Sequence, residues 1–400
     1  MKHKPLACSC LLLLMCSLLA AQQHIPLPNL PCGIPSTTAF TNWVEFRYDN
    51  CHSGYNPNEF LLGSATAGKL VFDWSYKTGA EVRSSPAVAN GVVFIASDDL
   101  YALNSTTGEL LWKYPNVFTV SSPAVANGMV YVGSSDANLY AVHAATGTLL
   151  WKYTTGGAVT SSPTVVNGSV YVASTDANVY ALDARTGALL WKFATEGISI
   201  TSSPAVANGV LYIGAEDHIV RSGVVVAEGS VRALDAATGT LLWIYPTLTW
   251  IDSSPAVSNG IVYAGSLDGT FYALNSNDGS LLWQFTAGDH NLQSSPAVAG
   301  GVVYFGSTDS NIYALNAKTG DLLWQYTTGG AVISSPAVAN GVVYVGSYDG
   351  NSLYALNAST GALLWSYNVG DVIESSPAVV NGMVYVGSYD ANLYAFHLPN

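Results

Sequence analysis

The sequence predicts an all-β fold, an eight-bladed β-propeller of four-stranded antiparallel blades, and three observations point to it. The tripeptide Ser-Ser-Pro recurs eight times, with its prolines at Pro86, Pro123, Pro163, Pro204, Pro255, Pro296, Pro336 and Pro377. The intervals of 37, 40, 41, 51, 41, 40 and 41 residues fall in the range of propeller-blade repeats, and long helical periodicity is absent. Each repeat also holds four short β-prone runs separated by turn residues. Finally, the last repeat lacks its fourth run, and a segment near the other end of the chain matches the missing piece.

The unit at 334–374 shows the parse. Ser-Ser-Pro-Ala-Val opens strand A, and Asn340-Gly341 makes the turn to strand B, Val342 to Ser347. Asn-Gly between two apolar runs is a strong hairpin signal. Asp349-Gly350-Asn351 turns the chain into strand C, Leu353 to Asn357, and Thr360-Gly361 leads to strand D, Leu363 to Tyr367. Strands of this length joined by short turns form an antiparallel meander, which is a blade.

Seven complete units begin at Ser84, Ser121, Ser161, Ser202, Ser253, Ser294 and Ser334, and the eighth, from Ser375, stops after strand C. Lys69-Leu-Val-Phe-Asp-Trp74-Ser-Tyr76 carries the strand D pattern, with Trp74 ten residues before Ser84 as Trp151 lies ten before Ser161. The N-terminal strand is therefore expected to complete the last blade, leaving no open edge. Residues 69–400 form the propeller in this reading, 22–68 an N-terminal extension and 1–21 a signal peptide.

The leader reading rests on basic Lys2, His3 and Lys4, the apolar run Leu6 to Leu19, and Ala20-Ala21 before polar residues. The run is too short for a membrane span, and no second apolar run of that length follows. Lipidation fits poorly, because neither Cys8 nor Cys16 has the small residues and apolar run that would precede a modified cysteine. Cys8, Cys10 and Cys16 leave with the leader. Cys32 and Cys51 remain, and in an oxidising compartment they are expected to form a disulfide; two free thiols are the alternative. Of 13 basic residues, Lys2 and Lys4 are lost, so 11 face 26 acidic ones in the mature chain. Such a balance disfavours nucleic acid and anionic membrane surfaces. An exported protein is expected: periplasmic, cell-surface or secreted, with no transmembrane span, and monomeric.

The recurring segment Ala102-Leu-Asn104-Ser-Thr-Thr-Gly108-Glu-Leu-Leu-Trp112 resembles the tryptophan-docking motif of the pyrroloquinoline-quinone (PQQ)-like propeller repeat family. The resemblance covers about residues 69–400, and the repeat is also similar to that of outer-membrane protein assembly lipoproteins. It implies that Trp74, Trp112, Trp151, Trp191, Trp243, Trp283, Trp324 and Trp365 are docking residues between blades, a role their size fits independently. The stretch from Trp43 to Pro57 resembles the segment that precedes the propeller in secreted members, and reads as a plug or clasp rather than a site.

Function has to come from residues that break the repeat, since propellers host many activities and none. The aspartates at the B–C turns (Asp99, Asp136, Asp176, Asp217, Asp268, Asp309, Asp349 and Asp390) are turn-makers in this reading, since one carboxylate per blade does not converge on a cation. The residue before each Ser-Ser-Pro should sit at the mouth of the central channel: Arg83, Val120, Thr160, Thr201, Asp252, Gln293, Ile333 and Glu374. With loop residues Trp250 and His290, the polar members Arg83, Thr160, Thr201, Asp252, Gln293 and Glu374 form the candidate ligand-binding mouth. No catalytic residue and no metal ligand is assigned. The 51-residue interval places about ten extra residues between strands B and C, Asp217 to Arg232, expected to extend a hairpin on the mouth face or to pack as a loop. Asn104, Asn167 and Asn357 stand in glycosylation sequons.

The resemblance also offers an enzymatic reading, PQQ-dependent alcohol or sugar oxidation with calcium. Against it, this chain lacks the adjacent-cysteine pair and the long decorating loops of those enzymes, and Arg83 is the sole mouth cation for the quinone carboxylates. The reading taken is a non-catalytic binding scaffold without a cofactor, for a protein partner or a polysaccharide, with a carbohydrate-binding surface protein as a further alternative.

Overall fold

The computed structural model describes residues 42–221, 224–288 and 291–399. Within them, eight four-stranded antiparallel blades follow one another in sequence and close into a ring, and Tyr55–Asn56 adds a short parallel strand at the inner edge of the seventh. In the seventh blade, strand A is Ala337–Ala339, strand B Val342–Gly346, strand C Ser352–Asn357 and strand D Leu363–Asn368. In the eighth, Ala378–Val380, Met383–Gly387 and Asn392–His397 are completed by Val71–Lys77 from the N-terminal side, in register Trp74↔Ala395. The short A strands line the axis and adjacent ones touch all round the ring, including the first against the eighth. Residues 1–21, the expected leader, lie outside the described residues.

Each repeated residue has a physical task. At the A–B turn, Asn340 and Gly341 both have positive φ, 44° and 77°, the twist that a two-residue hairpin requires. The first serine of Ser-Ser-Pro ties strand A to the end of strand B within its blade: Ser334 Oγ accepts the Gly346 N–H at 3.1 Å, and Ser375 does the same for Gly387. The second serine joins blades. Ser85, Ser122, Ser162, Ser203, Ser254, Ser295, Ser335 and Ser376 each donate their backbone N–H to the Oγ of the next, and Ser376 donates to Ser85, at 2.8–3.1 Å. Eight hydrogen bonds thus close a circle around the channel. Proline follows at a position where the strand needs no N–H.

The strand D tryptophans lie in the grooves between blades. Trp191 Nε1 donates to Ala236 O of the following blade at 3.0 Å, and Tyr171 Oη donates to the same carbonyl. The indole covers Gly239, where a Cβ would stand 2.7 Å from the ring. Trp112, Trp151, Trp243, Trp283 and Trp324 repeat the bond to the next blade's C–D corner. Trp74 packs on Gly108, and its Nε1 has no partner among the described residues. Trp365 differs. The eighth blade has no C–D corner, because its D strand comes from the other end of the chain, so Trp365 packs on Tyr367 and Phe396 instead. The Tyr344 hydroxyl in the same blade is buried without a partner among the described residues. Leu62, Ala67 and Leu70, around the 3₁₀ turn Ala67–Lys69, fill this seam.

The B–C aspartates correct a uniform expectation. Asp136, Asp309 and Asp390 accept the N–H two residues on and the hydroxyl of a strand C tyrosine, as turn-makers should. Asp99 pairs instead with Lys113 at 2.8 Å, and Asp217 with Arg232 at 2.7 Å. In the first blade the tyrosine hydroxyl bonds the adjacent Asp98 instead, leaving Asp99 to the lysine. The long interval is an extended hairpin, Val210–Arg221 against Val224–Asp235, in register Arg221↔Val224. Asp217, Ser230 and Arg232 clamp its base.

Candidate functional site

The channel is closed from the A–B turn side by the chain itself. Trp43 pairs with Val88 of the first blade, and Val44 O accepts the Val125 N–H of the second. Glu45 Oε2 accepts from Val165 of the third. Backbone carbonyls of Asn50, Cys51, Ser53 and Gly54 then accept from Val206, Val257, Val298 and Val338 of the next four. Asn56 Nδ2 donates to Val379 O of the eighth. Residues 43–56 therefore visit every inner strand in order. In seven blades the short A strand turns a backbone N–H to the axis and this segment accepts from it; in the eighth it bonds a carbonyl instead.

The plug carries buried charge. Arg47 is 1% exposed; its guanidinium donates to Pro336 O and, at 2.7 Å, to Pro296 O. Burial lowers its pKa to about 9, while neighbouring Asp49 acts in the other direction. Asp49 accepts the N–H groups of Cys51 and Ser53 and the Ser53 hydroxyl. Burial pushes the Glu45 carboxyl up to about 8 and the His52 imidazole down to about 3. His52 Nε2 lies 3.2 Å from the Thr164 hydroxyl, which itself donates to Pro204 O. Cys51 is disulfide-bonded; Cys32, its expected partner, lies outside the described residues.

A pH dependence follows from these two groups. As pH falls from about 6.5 toward 3, unfolded His52 takes up a proton and the folded imidazole does not, so stability falls. As pH rises from about 4.5 toward 8, unfolded Glu45 releases a proton that the folded carboxyl keeps, so stability falls in that direction too. Melts across pH are expected to show His52→Gln flattening the acid limb and Glu45→Gln flattening the alkaline limb relative to the unmodified protein. Parallel curves for all three would contradict the assignment.

Above the plug, the opposite face holds a cup of about 410 Å³. Its wall is the circle of second serines, its floor includes Phe46, and its rim carries Arg83, Val120, Thr160, Thr201, Asp252, Gln293, Ile333 and Glu374. Seven of the eight rim residues face the channel because the neighbour one position earlier is anchored: Val82, Val159, Ile200, Ile251, Leu292, Val332 and Ile373 are at most 1% exposed, whereas Thr119, before Val120, is half-buried. Tyr348 also lines the cup. Trp250 is half-buried and is not among the lining residues, and His290 lies outside the described residues.

The rim is electrostatically two-sided. Arg83 bonds Glu374 through Nε and Nη2 at 3.1 and 3.0 Å, and its guanidinium lies over the Tyr389 ring at 5.2 Å. Tyr389 donates its hydroxyl to the same carboxylate. Four blades round, Thr201 bridges Asp252 and Glu216 at 3.2 and 3.3 Å. Burial raises both carboxyls above their ordinary values, and for Glu216 the charge of Asp252 adds to this. The ion pair is partly open to solvent, at 43% and 24% side-chain exposure. Denaturant unfolding of Arg83→Ala is expected to show a loss under about 1 kcal/mol; a larger loss would make the pair a structural staple.

Sequence reasoning found the rim but not the plug's path or the serine circle. One signal was present: Thr164 replaces the alanine found after Ser-Ser-Pro in the other seven repeats, and it is the residue His52 meets.

A family model described as outer membrane protein assembly factor BamB matches residues 58–121, 97–227, 227–335 and 328–398. A quinoprotein ethanol dehydrogenase of Pseudomonas putida is 34% identical over 85 residues, 18% of this chain and only 14% of that protein's length. Among solved structures, a quinohemoprotein alcohol dehydrogenase of Pseudomonas putida superposes with a TM-score of 0.76 at 19% identity, covering 90% of this chain and 80% of the other. BamB of Moraxella catarrhalis superposes at 0.66 and 19% identity, covering 82% and 99%. At these identities the structures share the fold.

Proposed function

The chain belongs to the outer membrane protein assembly factor BamB family, and from that premise we propose that it is an exported, non-catalytic binding propeller, presenting its cup and the surrounding loops to a protein or polysaccharide partner in the cell envelope or outside the cell. The observation that carries this reading is the cup itself: an open polar recess whose other end is sealed by residues 43–56. Export is supported by the basic start and apolar run of residues 2–19 and by the disulfide at Cys51. Among the described residues no helix is long and apolar enough to cross a membrane.

A PQQ-dependent alcohol or sugar dehydrogenase is the competing reading, favoured by the local likeness to the ethanol dehydrogenase. The cup does not fit that cofactor. Its carboxylates ask for free cations, but Arg83 already meets Glu374, and Asp252 and Glu216 stand opposite. Among the described residues no three His, Cys, Asp or Glu come together as a metal-binding group.

Photo-crosslinkers at Val120 and Ile333 on the rim test the binding role in the native host, with Leu111 on the outer edge as control. Discrete adducts from the rim that weaken in Gln293→Ala are expected. Equal labelling from all three positions would overturn the cup as the working face.

A further inference from the structure

The wall of the cup has a chemistry that the binding reading leaves unused. All eight second serines are 3–6% exposed, and each Oγ accepts one backbone N–H. Among the described residues none of these hydroxyls donates to a protein acceptor. A hydroxyl has one proton and two lone pairs, so each serine keeps one donor and one acceptor site turned to the cavity. Thr160 on the rim has a buried hydroxyl with no partner at all among the described residues. Buried polar groups of this kind are ordinarily satisfied, and for the serine hydroxyls water or a ligand in the cup can do it.

The other surfaces narrow the occupant. Phe46 presents an aromatic ring at the floor, suited to the C–H face of a small ring. Gln293 and Asp252 add an amide and a carboxyl that pair with adjacent hydroxyls. An anion would meet Asp252, Glu216 and a chain with twice as many acidic as basic residues, with Arg83 already paired. A bare cation would have to exchange its water for hydroxyls whose stronger lone pairs are in use, and the carboxylates at opposite rims do not converge. A neutral polyhydroxylated ligand matches donors and acceptors alternating around an apolar floor. The volume of about 410 Å³ lies in the range of small-molecule sites.

We propose that the cup binds a neutral sugar unit, entering from the rim face, with the serine circle and Thr160 bonding its hydroxyls, Phe46 beneath its ring, and Asp252 and Gln293 orienting it. This rests on the reading of the chain as a binding propeller whose site is the cup.

Saturation-transfer NMR and calorimetry on the mature protein with glucose, mannose, galactose, maltose and cellobiose test it, with glucuronate and phosphate as charged probes. Saturable binding of at least one neutral sugar is expected, weakened about tenfold or more in Phe46→Ala and in Gln293→Ala and unchanged in Leu111→Ala. Gln293 lies on the rim rather than in the plug, so it keeps the test valid if Phe46→Ala loosens the fold. No transfer to any neutral sugar, tighter binding of glucuronate, or binding indifferent to both variants would overturn the proposal. Adding PQQ, calcium and an electron-accepting dye separates the two claims. Oxidation of a bound sugar would sink the non-catalytic reading and leave the sugar site standing. Rim crosslinks without sugar binding would do the reverse.

Discussion

Trp191→Ala is expected to destabilise the propeller by about 3–5 kcal/mol, read as a lower melting temperature and denaturant midpoint. The indole bridges two blades: it covers Gly239, lies 5.9 Å from the Tyr171 ring, and bonds Ala236 O. Truncation opens a cavity between sheets that cannot collapse, because each blade is held at the axis by the serine circle and outside by its own docking groove. Trp365→Ala is expected to cost less, by roughly the 1 kcal/mol of a net hydrogen bond, since its ring has no corner carbonyl to bond. Equal losses at both positions would mean that packing alone carries the docking. Gly239→Ala attacks the same contact from the other side, where φ is +72° and the ring leaves no room for a Cβ.

Arg47→Ala is expected to have an effect of similar size, about 3–5 kcal/mol, and to release the plug. The guanidinium spans two blades through Pro296 O and Pro336 O and is the cation beside half-buried Asp49. Removing it leaves two carbonyls without their donor and Asp49 without its neighbouring cation. Arg47→Met, which keeps the volume, still leaves Asp49 alone and should recover only part of the loss. Limited proteolysis should then cut near residues 43–62, followed by mass spectrometry of the fragments. A variant that melts normally and resists the protease would show that the backbone bonds of residues 43–56 hold the plug unaided.

The ring was legible in the sequence because a repeat states its own register. Ser-Ser-Pro, Asn-Gly and the Gly-x-Leu-Leu-Trp corner each mark a fixed point in every blade, and the truncated eighth unit pointed to Val71–Lys77 as its missing strand. The rim was legible for the same reason, since Arg83, Asp252, Gln293 and Glu374 occupy one repeat position with changing chemistry. The plug was not. Residues 43–56 have no internal repeat, and most of their partners are backbone groups of inner strands, which any sequence would offer. The serine circle was hidden differently: a bond from Ser85 N–H to Ser122 Oγ joins neighbouring blades, and a one-dimensional repeat does not say which of two adjacent serines faces which neighbour. The ion pairs Asp99–Lys113 and Asp217–Arg232 were masked because their aspartates sit at a position that makes turns elsewhere.

The plugged channel is expected to keep a binding face and no quinone chemistry. Calorimetric titration of PQQ with calcium into the purified mature protein, followed by an alcohol-oxidation assay with an electron-accepting dye, asks this directly. No saturable heat and no turnover is the predicted result, because the one rim guanidinium is committed to Glu374 and the opposite rim is acidic. Tight binding with turnover would contradict the account and place a working quinone site between Arg83 and Asp252.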